Sequence, residues 1–310
     1  MDQQTVPDLS IQLGPLTLQS PLILAASPWG SEAARYVGSG IGALTMNSVG
    51  PEPRRGHPPP VMHDWAGGMI NAVGLDNLGA AAAVAQLKPL KADLQRHDLR
   101  LIASIFAHTA GEFETVAQSI SALEPDLLEV NISCPNVEEE FGRPFATQCT
   151  PAAQATAAAR AGYSGLMSVK LAPNVPDVTE IAQAVIEAGA DILTVSNTMP
   201  GMVIDIEARR PVLSNKTGGV SGEALRPIAV RMVYELSQVV TVPIIGTGGV
   251  VTGRDAVEMI MAGATAVGLA TVAHRHGPAG VRRVLSELDA WLSDHRVESL
   301  DQIRGAAHTG

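Results

Sequence analysis

The segment Glu129-Val130-Asn131-Ile132-Ser133-Cys134-Pro135-Asn136 places a thiol between two side-chain amides at the end of an apolar run. Asn131 and Asn136 can each donate and accept, which suits a flat ligand carrying alternating C=O and N–H groups. Cys134 can take a proton as a base or attack as a nucleophile. A lone cysteine is more often a small buried hydrophobe, so a chemical role needs support from the rest of the chain. Leu127 to Ile132 has the length and branched content of a buried strand. Proline lacks an N–H and restricts the residue before it, so Pro135 ends that strand. A strand therefore delivers two amides and a thiol to the point where it becomes a loop.

Other candidates fall at the ends of similar runs. Ala26-Ser27, Asn47-Ser48 and Asn197-Thr198 each close an apolar stretch, and Lys170 lies inside the run Met167-Ser168-Val169-Lys170-Leu171. A buried cation needs a partner. Lys170 is read as a ligand-facing group, the plainer alternative being an inward lysine paired with a carboxylate. Gly218-Gly219-Val220-Ser221-Gly222, Gly246-Thr247-Gly248-Gly249 and Ala270-Thr271 follow in order. Glycine lets backbone N–H groups approach a phosphate, so three such clusters in sequence point to a phosphate cradle. No GxGxxG fingerprint follows the first strand, and no Walker lysine motif is present. His108, His274 and His276 lack metal-ligand spacing; they are read as surface residues, and no metal is expected.

These residues need elements to position them. Strand-like runs recur at Leu22–Ala26, Ile41–Val49, Leu101–Phe106, Leu127–Ile132, Leu166–Leu171, Ile192–Val195, Val242–Ile245 and Ala266–Leu269. Helical patterns stand at Gly79–Leu94, Thr115–Leu123, Val178–Glu187, Leu225–Val239 and Gly253–Met261. Eight strands with intervening helices predict an α/β fold, a (β/α)8 TIM barrel, ahead of an open doubly wound sheet. Residues 9–20 alternate around Gly14-Pro15 and predict an N-terminal β-hairpin covering the barrel's bottom. Residues 50–78 and 135–151 read as long irregular loops, which belong on the C-terminal face where barrels keep their active sites. No repeat or linker divides residues 1–310, so one domain is expected.

A net charge of −10 argues against a nucleic-acid partner, since phosphate binding needs a basic face. Only ten of the 310 residues are Phe, Tyr or Trp, which fits packing by small and branched side chains. No apolar run reaches the roughly 18 residues a membrane span needs, and the N-terminus lacks a signal-peptide pattern. Two cysteines make no disulfide framework, and a cytoplasmic location is expected.

Five ordered motifs, MINAVGLDN (69–77), NISCPN (131–136), SVKLAPNV (168–175), NKTGGVSG (215–222) and PIIGTGGV (243–250), together resemble class 1 dihydroorotate dehydrogenases, closest to the NAD-linked subclass 1B. The resemblance runs from about residue 9 to the end. It implies FMN on the C-terminal face of a (β/α)8 barrel and oxidation of dihydroorotate to orotate in pyrimidine biosynthesis. Cys134 takes the place of the base that removes the C5 proton while the C6 hydride passes to the flavin. Asn71, Asn131, Asn136 and Asn197, with Thr198, match the residues that hold the pyrimidine. Flavin contacts fall on Ala26, Ser27, Lys170, Gly222, Gly248, Gly249, Ala270 and Thr271. The subclass also implies a homodimer core and an electron-transfer subunit carrying FAD and a [2Fe-2S] cluster, for which this chain has too few cysteines.

Three departures stand against that pattern. A lysine that touches both flavin and substrate is replaced by Asn47, which would contact both but gives up a positive charge. Pro28 removes a backbone donor after the first strand. Glu138, Glu139 and Glu140 add negative charge to the loop after Cys134, with Arg143 the nearest cation. The alternative reading is therefore a flavin oxidoreductase on the same scaffold acting on another cyclic amide or a specialised-metabolism substrate. A non-enzymatic flavin-binding role is the weakest, because the whole catalytic constellation is retained.

Overall fold

The structure, a computed structural model, describes residues 7–27, 30–133 and 144–309. Eight parallel strands close into a barrel: β1 (Leu22–Leu24), β2 (Ala43–Thr45), β3 (Arg100–Ile105), β4 (Leu127–Asn131), β5 (Met167–Lys170), β6 (Ile192–Val195), β7 (Ile244–Thr247) and β8 (Ala266–Leu269). Each pairs with its sequence neighbour, and β8 pairs with β1 through Val267↔Leu22 to Leu269↔Leu24. Residues along these strands are buried on both faces, which is why they read as short apolar runs rather than alternating ones.

Around the barrel run α1 (Ala80–Gln95), α2 (Glu112–Ser121), α3 (Cys149–Gly162), α4 (Val178–Glu187), α5 (Arg226–Ser237), α6 (Gly253–Met261) and α7 (Thr271–Asp294). In α4 the buried residues Val178, Ile181, Ala182 and Val185 form one helical stripe. Full burial of each aliphatic side chain of that size contributes roughly 1.5–3 kcal/mol. The N-terminal hairpin, Ile11–Leu13 against Leu16–Leu18, turns at Gly14 and packs by Leu166 at the N-terminal end of β5. It covers the barrel's bottom as expected.

The segment read as an irregular loop at 50–78 is more ordered than that. Met62–Trp65 and Gly68–Asn71 pair with each other, and the second strand continues to Gly218–Ser221 and Met199–Gly201, forming a four-stranded antiparallel sheet. Its strands come from two excursions more than 120 residues apart, so neither half shows its partner in its own sequence. Arg275, just past the first turn of α7, fastens this sheet by donating to Asp64 at 2.6 Å, to Glu223 at 2.8 Å and to the Gly68 carbonyl at 3.0 Å. The second expected loop, 135–151, gives way at its end to a short turn of helix at Phe145–Thr147 and then to α3 at Cys149.

Candidate active site

Strand alternation aims a column of polar side chains into the barrel. Glu129 and Asn131 share one face of β4, Ser168 and Lys170 one face of β5, and all four are buried, as are Ser104 on β3 and Thr194 on β6. Ser104 Oγ donates to Glu129 Oε1 at 3.1 Å, and Thr194 Oγ1 reaches Ser168 Oγ at 3.5 Å. Lys170 Nζ lies 3.6 Å from Glu129 Oε1. Lys170 therefore stands beside an interior carboxylate, the plainer expectation, and the same lysine lines the cleft above.

That cleft opens at the strands' C-terminal ends and has two joined halves. One is lined by Asn47, Asn71, Asn131, Asn197, Thr198, Ser27 and His274, under Met62 and Met69 of the small sheet. The other is lined by Gly222, Gly248, Gly249, Ala270 and Thr271. Ala26, Lys170, Asn197, Thr198, Ser221, Ala270 and Thr271 border both. Every candidate site residue that falls within the described residues is thus brought to one cleft. Cys134 and Asn136 lie outside the described residues, as do Pro28, Glu138, Glu139, Glu140 and Arg143.

The amides are held by one another. Asn131 Nδ2 donates to Ser48 Oγ at 3.0 Å, and Asn131 Oδ1 accepts from the Ser133 amide at 3.2 Å and from Asn197 Nδ2 at 3.3 Å. Asn197 Nδ2 also donates to Ser133 Oγ at 3.0 Å, while its Oδ1 accepts from the Thr198 amide at 2.8 Å. Cross-bracing of this kind fixes which end of each amide faces a ligand before one arrives. Asn47 is tied differently: its Nδ2 donates to the Asp76 carbonyl at 2.6 Å, linking β2 to the strand-paired loop above.

The glycine half has the features of an anion site. Gly222 and Gly249 have φ of +81° and +79°, and a Cβ on Gly249 would fall 2.6 Å from both the Arg226 amide and the Gly222 carbonyl. The positive φ and these close approaches, with Arg226 Cβ at 2.5 Å as well, require glycine there. Helix α7 starts at Thr271 with no side-chain cap and no acidic residue in its first turn. By contrast α6, on the same rim, closes its start with a Thr252–Asp255 capping box. An uncapped helix start bordering a glycine-lined cleft leaves N–H groups for an anion. Among the described residues Lys170 Nζ has no hydrogen-bond acceptor, so a nearly buried ammonium also faces the cleft with donors to give.

His274 corrects the surface reading. It is part-buried one turn into α7, lines the cleft, and lies with Nε2 2.5 Å from Ser27 Oγ. Burial pushes its imidazole below the ordinary histidine value, which favours the neutral form. Sequence reasoning also left Glu129 without a role. The available signal was its place two residues before Asn131, on the same side of the strand. Lys170 is the one Lys, Arg, Asp or Glu among the described lining residues, and Glu129 stands 3.6 Å behind it. Among the described residues no group of three or more His, Cys, Asp or Glu could hold a metal ion, and no helix is long and apolar enough to cross a membrane.

Residues 8–292 match the family model described as Dihydroorotate dehydrogenase. A protein of Trichlorobacter lovleyi named dihydroorotate dehydrogenase B (NAD(+)), catalytic subunit, is 40% identical over 304 residues, 97% of this chain and 98% of its own length. One of the same name from Geobacter sulfurreducens is 38% identical with the same coverage. The crystal structure of the Eimeria tenella DHODH in complex with ferulenol superposes with a TM-score of 0.85 at 25% identity, covering 100% of this chain and 91% of that one. By the match along most of its length and by the barrel it forms, the chain belongs to the dihydroorotate dehydrogenase family.

Proposed function

We propose that this protein is an FMN-dependent oxidoreductase that oxidises the CH–CH bond of dihydroorotate to give orotate in pyrimidine biosynthesis. The observation that carries the reading is the convergence of Asn71, Asn131, Asn197 and Lys170, from four separate segments, on one cleft at the barrel mouth. The fit to FMN rests on the glycine surface, the uncapped start of α7 and the Lys170 ammonium. Gly222, Gly248, Gly249, Ala270 and Thr271 would hold the phosphate, and Ala26, Ser27, Asn47 and Lys170 the ring system. Bound there, FMN would supply a two-electron acceptor for the substrate hydride. The chain's own part is to hold the pyrimidine amides on Asn71, Asn131, Asn136 and Asn197, with Thr198 beside the last, and to take the C5 proton on Cys134.

The name shared by the relatives, NAD(+) catalytic subunit, supports a second polypeptide that passes electrons on; we propose one carrying FAD and a [2Fe-2S] cluster, joined to a cytoplasmic homodimer of this chain. The test is the cofactor and the product. Heat-denatured protein should release FMN and neither FAD nor a nicotinamide, and the intact protein should form orotate from dihydroorotate with an artificial acceptor. A colourless protein that takes up no FMN would end this reading.

One observation favours a second reading, a different cyclic amide as substrate. Asn47 is neutral and bonded to the Asp76 carbonyl, and Lys170 is balanced by Glu129, so the described lining offers no uncompensated cation to a carboxylate. Asn47→Lys separates the two. If the wild type binds orotate weakly and the lysine variant gains both affinity and turnover, the substrate is another amide. A fast wild type that the lysine impairs supports dihydroorotate.

A further inference from the structure

The chemistry proposed above leaves one buried carboxylate unused. Glu129 stands mid-strand in β4, two residues before Asn131, and its side chain is 4% exposed. Such a group is costly to bury unless paired and hydrogen-bonded. One of its contacts leads to Lys170, which borders both halves of the cleft, and the other toward Asn131 in the amide half. The first is the 3.6 Å approach to Lys170 Nζ, too long for a hydrogen bond but close enough to cancel much of that charge. The second is the bond from Ser104 Oγ at 3.1 Å.

From Ser104 the contacts continue. Its Oγ lies 2.8 Å from Ser48 Oγ, and Ser48 Oγ accepts from Asn131 Nδ2 at 3.0 Å. The direction of this chain follows from its end. An ionised carboxylate only accepts, so Ser104 must spend its single proton on Glu129. Ser104 can then only accept from Ser48, and Ser48, its proton spent in turn, can only accept from Asn131. Asn131 must present Nδ2 to Ser48, which leaves Oδ1 toward Ser133 and Asn197. One negative charge thus sets the polarity of three successive hydrogen bonds and the orientation of a cleft amide.

We propose that Glu129 is a positioning residue acting on both halves of the site, as the counter-charge that tempers Lys170 and as the fixed acceptor that orients Asn131. The inference rests on the FMN and pyrimidine reading above. Two substitutions separate the arms. Glu129→Gln removes the charge but keeps an acceptor for Ser104; Ser104→Ala keeps the charge but cuts the path to Asn131.

The readouts are the reduction potential of bound FMN, by equilibration with a dye of known potential, and orotate affinity, by the change in flavin absorbance. Loss of a negative charge beside Lys170 favours electron gain, so Glu129→Gln should raise the potential by on the order of tenfold in the redox equilibrium, roughly 30 mV for a two-electron couple. Ser104→Ala should leave the potential at the wild-type value and weaken orotate by about tenfold, the cost of an unsatisfied polar group in the chain. A purely structural glutamate would lower thermal stability and move neither quantity. Wild-type potential in FMN-loaded Glu129→Gln, or wild-type orotate affinity in Ser104→Ala, overturns the proposal. Should Glu129→Gln not fold, Ser104→Ala decides alone. A wild-type protein that takes up no FMN would instead remove the reading on which the proposal stands.

Discussion

Replacing Lys170 by methionine keeps an unbranched stem one atom shorter and deletes the ammonium, leaving Glu129 without that partner inside the barrel. The two side chains are 9% and 4% exposed, so solvent screens them little. At their 3.6 Å separation and an effective dielectric of about 20, the Coulomb attraction is on the order of 5 kcal/mol. Removing one member of a buried pair typically costs about 3–5 kcal/mol, because the remaining charge is left uncompensated. The Ser104 hydroxyl still satisfies part of Glu129, which places the expected loss near the lower end, about 3 kcal/mol. Urea unfolding of the flavin-free protein at pH 7 measures it without a contribution from bound ligand. Adding Glu129→Gln to Lys170→Met should recover about 2 kcal/mol, since no bare carboxylate then remains. A Lys170→Met protein within about 1 kcal/mol of wild type, as for an exposed pair, would refute the reasoning. So would a double variant no more stable than the single.

Three further outcomes are expected. Cys134→Ala should keep FMN but slow dihydroorotate-driven flavin reduction by ~10²–10⁴-fold, the range for loss of a general base, and an unchanged rate would make the thiol structural. Gly249→Ala forces a Cβ to within 2.6 Å of two backbone atoms at a φ of +79°, so FMN affinity measured by fluorescence titration should fall at least about tenfold; wild-type affinity would contradict the cradle. His274 has a folded-state pKa below its unfolded 6.5, so the unfolded chain takes up the proton first as pH falls. Its contribution to stability is complete above pH 6.5 and is lost as pH drops through that value toward the folded pKa. His274→Phe should flatten that part of the stability–pH curve, and an unchanged curve would contradict the assignment.

Barrel strands were legible because a parallel strand buried on both faces leaves a short apolar run with polar ends. Ile192–Val195 and Ala266–Leu269 match the expected boundaries, as do the helices Val178–Glu187 and Gly253–Met261. The two helices begin at side-chain caps, Asp177 and Thr252, which mark a start in sequence. Helices α3 and α7 fit the expected alternation of strand and helix, but their ranges were not picked out. The first is an alanine-rich stretch with little contrast between its faces, and the second is kinked at Gly277 beside Pro278. Strands of the covering sheet escaped notice because their register depends on partners far along the chain.

At the site, residue types at strand ends singled out Asn47, Asn131 and Asn197 together with the glycine clusters, and Lys170 stood out inside its apolar run. All of these line the cleft, whereas Asn71, in a segment read as a loop, came from the resemblance alone. Relations across strands were not legible in this way. Glu129 gains a role once the register sets Asn131 opposite Lys170, and His274 once α7 starts at Thr271 and turns it toward Ser27. A single imidazole in a sequence carries no pattern that marks such a position.

The central claim, that the cleft oxidises dihydroorotate with FMN bound, is tested most directly by mixing the purified yellow protein with dihydroorotate without oxygen and following visible flavin absorbance. The account predicts bleaching of the oxidised flavin band with formation of one orotate per flavin. An oxidised spectrum that persists at saturating dihydroorotate, in protein whose flavin is still reduced by dithionite, would contradict it.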